Sequence, residues 1–451
     1  MSRQSNKMFY VDNKLQIRLV NHACIIIEAG QVKLLCDPWL SGSAFNNGWD
    51  LVVPNEISIG DLDFTHIWIS HEHPDHFSPK DLHGIVPARR KSITVYYQET
   101  KDKKVKEFCE SLGFNVQELK DFERYEIGSE SFITSATSRG SDSWLLFEYG
   151  EQRLLNLNDC FVKDKIEIAR IKECVGNIDV LMSQYSFANW VGNESDQHSQ
   201  QSIAGMYLEI FADQARILDP KFVIPFANFT YFSHEENFYL NKFASKVSDA
   251  VAALNELSCQ PIVLSPMQVF ELGREFDNNI GLKFWLEAHR ALSDRPKRSS
   301  PKISIDQLTE AFGEYQNRLK VKNDWSKIVQ KKNDGSLPAC CVYLTDHNQA
   351  FEFDITQALS VTDVPKEECA IVLSSDSLNF LLKHEWGRGT LQINGRFQAN
   401  YKKFVDFIRQ TQIAFANNIG LSYPQTFSPD KLTNPNTFVL RVAEGNVREH
   451  L

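Results

Sequence analysis

The stretch Thr65–Pro79, THIWISHEHPDHFSP, decides the reading of this chain. Ile67, Trp68 and Ile69 make a short apolar run of strand type that stops at Ser70. Four ligand-type side chains, His71, His73, Asp75 and His76, then crowd into six residues. Imidazole nitrogen and carboxylate oxygen are the donors zinc and iron(II) prefer, and a divalent ion needs several converging at about 2.0–2.2 Å. In an extended segment His71 and His73 point to one side, so one ion can take both. Pro74 fixes the backbone between His73 and Asp75, and the turn can return Asp75 and His76 toward a second ion. The bland alternative is a histidine-rich surface loop. Chance rarely sets His-x-His-x-Asp-His directly behind a buried-type strand.

HEHPDH (His71–His76) resembles the metal loop of the metallo-β-lactamase superfamily. The resemblance implies an α/β (α+β) fold, an αββα sandwich with a one- or two-metal site at the open end of its sheets. Most members of that superfamily are hydrolases and some are oxygenases.

The chain has 451 residues, long enough to expect two domains. With 42% hydrophobic and 24% charged residues it reads as soluble and globular. A net charge of −10 argues against nucleic acid as the main partner. No apolar run approaches the roughly 18–20 residues of a membrane span, and the opening MSRQSNKMFY lacks a signal-peptide core, so the expectation is a cytoplasmic protein. Nine scattered cysteines without a CxxC pair fit a reducing compartment.

Outward from the metal loop, Gln16–Val20, Ala23–Glu28 and Val32–Cys36 read as an antiparallel meander. The third run ends in Asp37, either an acceptor that orients a ligand histidine or a simple turn former. Ile93–Tyr97 reads as a strand and Lys103–Leu112 as a helix. Phe132–Ala136, Trp144–Tyr149 and Arg153–Leu157 follow as strands, the last running into Asn158-Asp159-Cys160. Asp159 alone would be a helix cap; beside HEHPDH it becomes a metal carboxylate. Val180–Ser183 is a strand, Gln184–His198 a long polar loop of the kind that often carries function, and Ser202–Ala215 a helix. Strands at Phe222–Phe226 and Phe229–Phe232 lead to His234, the candidate last ligand, and to a helix reaching about Leu257.

Basic, Ser- and Pro-rich Ser293–Lys302 sets the expected boundary: a metal domain over 1–292, a linker over 293–302 and an α+β domain over 303–451. The C-terminal pattern is a helix at Ile303–Val321, strands at Ala339–Thr345, Phe351–Ile355 and Cys369–Leu373, a helix at Ser375–Leu382, a strand at Thr390–Ile393 and a helix at Tyr401–Thr411. It resembles the sterol-carrier-like fold, and a lid or a dimerisation unit (hence a homodimer) stays open. Trp386, Arg388 and Arg396 could reach over the metal site to an anionic substrate.

Leu154–Cys160 (LLNLNDC), Val180–Trp190 (VLMSQYSFANW), Val223–Leu240 (VIPFANFTYFSHEENFYL) and Phe270–Glu275 (FELGRE) narrow the resemblance to the lactamase-fold part of the CMP-N-acetylneuraminate hydroxylase group. That resemblance implies His71, His73, Asp75, His76, Asp159 and His234 as metal ligands, with Asp75 and His76 at the catalytic centre. Ser138 stands where the group has a further histidine, which leaves its place to Asp142, another side chain or water. The spacings of the group's Rieske iron–sulfur domain, Cys-x-His and Cys-x-x-His, do not occur in the sequence.

Three functions stay open. The first is an oxygenase with two iron ions that uses O2 on a small polar or anionic metabolite, with electrons from a separate ferredoxin or reductase. The second is a hydrolase whose zinc, iron or manganese lowers the pKa of a bound water. The third is a metal-binding relic without activity.

Overall fold

A computed structural model describes residues 14–138 and 142–424. The MSRQSNKMFY opening and the last part of the expected C-terminal domain lie outside the described residues.

Two seven-stranded sheets face one another. In the first, Gln16–Asn21, Cys24–Ala29 and Val32–Cys36 form the antiparallel meander, and His66–Ile69, Thr94–Gln98 and Asn115–Leu119 continue it in parallel. The second mirrors this plan. Arg124–Gly128, Ser131–Thr137, Ser143–Tyr149 and Gln152–Asn158 are antiparallel, and Val180–Ser183 and Phe222–Pro225 extend the sheet in parallel.

The period-two alternation of apolar side chains builds the layers. Ile25, Ile27, Leu34, Trp68 and Tyr96 point inward to meet Ile133, Leu145, Phe147, Leu155 and Val223 of the facing sheet. Their sequence neighbours Ile26, Leu35, Ile67, Ile69 and Val95 point outward and are covered by Val105 and Cys109 of the helix Lys104–Ser111. On the far side, Ile168 and Ile171 of Lys165–Val175 and Phe211 and Ala215 of Gln197–Leu218 close the second sheet. The result is an αββα sandwich. At about 1.5–3 kcal/mol per buried Leu, Ile or Phe, its inner layer is the main source of stability.

A separate core gathers Leu308, Phe312, Tyr315, Phe353, Leu378 and Phe407 behind a five-stranded sheet. The sequence misleads in two places. Thr390–Ile393 lies within a helix, Gly387–Asn394, because Gly395 at φ 65° supplies a left-handed C-terminal cap rather than a strand-ending turn. The single helix expected after His234 divides into a short 3-10 turn, Phe238–Lys242, and Val247–Ala253.

The polar loop before Gln197 docks the two cores together. Its Trp190 enters the second core, 4.7 Å from the Phe397 ring, and donates its backbone N–H to Gln392 O at 2.8 Å. Asn193 pairs with the backbone of Ala399 through both ends of its amide. Among the described residues no helix is long and apolar enough to cross a membrane.

Candidate metal centre

The parallel strands His66–Ile69 and Gln152–Asn158 end on one rim, where the crevice of such sheets opens. The first delivers HEHPDH and the second delivers Asp159. Two groups of donors form there: His71, His73 and Asp159, and His22, Asp75 and His76. Within the first, His71 Nε2 lies 2.8 Å from His73 Nδ1 and 3.6 Å from Asp159 Oδ2. Within the second, Asp75 Oδ2 lies 3.4 Å from His22 Nε2 and 3.5 Å from His76 Nε2. Asp159 Oδ2 also lies 3.4 Å from His76 Nε2, so this carboxylate reaches both groups. Two donors about 2.1 Å from a shared ion stand roughly 3.0–3.4 Å apart, which these spacings approximate.

A buried polar hub beneath the loop sets the histidine tautomers. Asp37, at φ 44° and fully buried, accepts from Ser70 N at 2.7 Å, from Ser70 Oγ at 2.8 Å and from the Asn158 amide. His76 Nδ1 lies 3.0 Å from Asp37 Oδ2. A carboxylate only accepts, so Asp37 keeps a proton on His76 Nδ1, and Nε2, facing the rim, is the nitrogen left to bind a cation in exchange for its proton. With the Ser70 hydroxyl committed to Asp37, His71 Nδ1 donates to Ser70 Oγ at 2.9 Å and leaves its own Nε2 to accept from His73 Nδ1 or to bind a cation. His76 Nε2, Asp75 Oδ1 and Asp159 Oδ1 are buried without a hydrogen-bond partner. Orphans of this kind beside the clustered donors fit a cation.

The electrostatics follow from crowding. Burial and the facing His71 hold His73 down to about 4, so its imidazole is neutral at pH 7. Burial opposes charge on His76, yet Asp159, Asp75 and Asp37 together raise it well above the ordinary value. Burial would also raise Asp159, and His71 and His76 overcome it and lower that carboxyl. Asp142, its Oδ1 4.0 Å from His71 Nε2, is pushed up to about 6 by burial and by Asp159. A cation among these carboxylates would relieve their repulsion.

Other expected site residues lie elsewhere. Ser138 pairs its backbone with Asp142 and its hydroxyl with Glu167, outside both groups. His234 is not brought to the rim. The strand before it, Thr230–Phe232, leaves the main sheet to pair with Trp49–Leu51, and this ribbon carries His234 toward the linker. There it meets Ser300 Oγ at 3.2 Å and Glu236 at 3.3 Å. Arg396 is spent on Glu236, Asp376 and Asn46 O, Trp386 stacks on His384, and Arg388 is buried in the second core, so none of the three contacts a clustered donor.

His22 was missed by motif reading. In an up–down–up meander the turn after the first strand shares a rim with the end of the third, and the fourth runs parallel to the third. That parity places His22 beside the end of His66–Ile69 and was available from the sequence. The loop at 41–48 reaches the site, its Phe45 ring 5.7 Å from that of His73. A cavity of about 520 Å3 between Trp49, Phe187, Phe232, Tyr239 and His289 is lined by none of the clustered donors.

Residues 16–227 match the model of the beta-lactamase superfamily domain. The cytidine monophosphate-N-acetylneuraminic acid hydroxylase of Danio rerio is 25% identical over 276 residues, covering 54% of this chain and 43% of that protein. A putative Rieske 2Fe-2S iron-sulfur protein of Mycolicibacterium smegmatis is 27% identical over 189 residues, 39% of this chain and 35% of that one. The chain thus spans less than half the length of either relative. Among solved structures, CmlA, a diiron β-hydroxylase from Streptomyces venezuelae, aligns with a TM-score of 0.43 and 17% identity over 58% of this chain and 54% of that one. A possible metal-dependent hydrolase from Veillonella parvula aligns at 0.45 and 16% over 57% of this chain and all of that one.

Proposed function

We propose, from the premise that residues 16–227 form a β-lactamase superfamily domain, that this protein is a dinuclear metalloenzyme. His71, His73 and Asp159 hold one divalent cation, with Asp142 beside it, and His22, Asp75 and His76 hold the other. The observation that carries the reading is Asp159, whose Oδ2 lies within 3.6 Å of imidazole nitrogens from both groups. One carboxylate reaching two donor sets is what a bridged metal pair requires.

Among the activities open to such a pair, oxygenation of a small polar or anionic metabolite comes first. The names of the hydroxylase and Rieske relatives support it. So does a shell of imidazoles and carboxylates without thiolate, which suits iron. Bound ferrous ions would supply O2 reduction, with electrons from a separate ferredoxin or reductase. The chain's own contribution is preorganisation. Asp37 keeps the proton on His76 Nδ1, Ser70 orients His71, and the buried inner faces of His22, His71 and His76 keep water from the ligand nitrogens.

A hydrolase is the second reading. It is favoured by the buried, unpartnered Asp75 Oδ1, which could orient a metal-activated water, and by a donor set that zinc also accepts. Metal analysis of protein purified without oxygen separates the two. Two irons per chain, with an absorption band that bleaches on reduction, support the oxygenase. Firmly bound zinc with esterase turnover refutes it. His73→Ala should remove at least half the bound metal on either account, and full retention of metal in that variant would sink the site itself.

A further inference from the structure

The second core buries a positive charge that pairs with no carboxylate among the described residues. Arg388, in the helix Gly387–Asn394, is 2% exposed, and its Nε and Nη1 have no hydrogen-bond partner among the described residues. The Phe415 ring covers one face of the guanidinium, 4.2 Å from Cζ. Its edge is what remains unmatched.

Two further donors share this condition. Gln392 sits one turn along on the same helix face, and its Nε2 is buried and unpartnered. Tyr315, in the helix Ile305–Lys322, is 1% exposed, its hydroxyl has no partner among the described residues, and the Arg388 charge acts on it. Glu385, the carboxylate that also acts on Tyr315, is taken by Lys322 at 2.6 Å. Desolvation pushes the Arg388 guanidinium down to about 10, so the charge is held against its environment. A lone buried ion of this kind costs several kcal/mol, and fully buried donors without acceptors are rare in folded proteins.

We propose that Arg388, Gln392 and Tyr315 form an anion-binding site inside the C-terminal unit, which takes a small oxyanion of carboxylate or phosphate type. The guanidinium edge presents two N–H groups to a planar or tetrahedral oxyanion, the geometry arginine provides and lysine does not. The Gln392 amide and the Tyr315 phenol offer further N–H and O–H donors. None of the three belongs to the clustered donors at the rim, so the site does not depend on the proposed activity.

The test is thermal unfolding of the full-length protein at constant ionic strength in chloride, acetate or inorganic phosphate. An occupied site raises Tm by about 3–6 °C at an anion concentration a hundredfold above Kd. Comparing acetate with phosphate identifies the class. Arg388→Met should erase the increment while leaving Tm in chloride unchanged or higher, because an apolar side chain of similar shape removes an unpaired buried charge. Tyr315→Phe should keep the fold and weaken phosphate binding about tenfold. His73→Ala should keep the full increment. The proposal is overturned if no anion moves Tm in the unaltered protein, which would mean that water satisfies these donors. It is equally overturned if the increment survives Arg388→Met or disappears in His73→Ala, which would place the anion at the metal centre.

Discussion

Asp37→Asn tests the metal-site reasoning without touching a ligand. The wild-type carboxylate receives four donors: Ser70 N on Oδ1, and Ser70 Oγ, His76 Nδ1 and the Asn158 amide on Oδ2. The substitution keeps the shape and one oxygen, which can still take Ser70 N. Its new amide N–H groups face His76 and Asn158, while the Ser70 hydroxyl can rotate to accept. Two buried donors are then stranded, at about 1–3 kcal/mol each, so metal-free protein should lose roughly 2–6 kcal/mol in urea unfolding. His76 can relieve its part only by moving its proton to Nε2, which removes the lone pair a cation needs. Metal affinity should therefore fall about 10–100-fold, measured by competition with a chelator of known affinity. If Asp37→Asn holds metal within threefold of wild type and unfolds within about 1 kcal/mol of it, Asp37 does not set the tautomer and the ligand role of His76 loses its support.

His22→Ala should remove about half the bound metal by elemental analysis, whereas His234→Ala should remove none; the reverse outcome would restore the motif-based ligand set. Chelation should lower Tm of the wild-type protein, by about 4 kcal/mol of linked stability if metal was present at a thousandfold above Kd, and should lower that of His73→Ala by less. Arg396→Met strands Glu236 and Asp376 and should cost about 3–5 kcal/mol in denaturant unfolding, with a loss below 1 kcal/mol counting against a structural ion-pair hub. Trp190→Ala should destabilise the second core by about 3–5 kcal/mol while bound metal is retained, because Trp190 fills that core from the other unit.

What could be read from sequence was local. HEHPDH is legible because its four ligand-type residues sit on one turn, and Asp159 because it ends a strand. The reading of Thr390–Ile393 failed at a known weak point: an apolar run of four fits strand and helix alike. Asn394-Gly395, which suits a turn as well as a left-handed helix end, is the deciding signal for a helix cap. His234 misled because a strand followed by a histidine looks the same whether the strand belongs to the main sheet or to a side ribbon. Only the pairing of Thr230–Phe232 with Trp49–Leu51 separates the cases, and that is a contact between segments far apart in sequence.

The same long-range contacts tie the C-terminal unit to the metal rim, which composition could not foretell. Asn394 Nδ2 donates to Phe45 O at 3.0 Å and Arg396 Nη1 to Asn46 O at 2.7 Å. Phe45, Asn46 and Asn47 all hold φ between 51° and 57°, a left-handed run that non-glycine residues keep only when surroundings enforce it. Phe45 in turn packs on His73, and Asn418 at the end of the last helix lies 3.5 Å from Glu72 within the metal loop. The second unit thus holds the strained loop that covers His73 and touches the HEHPDH loop at Glu72. Any change that loosens Asn394 or Arg396 should release Phe45 before it disturbs a ligand, so access to the metal and retention of the metal are separable properties of this fold.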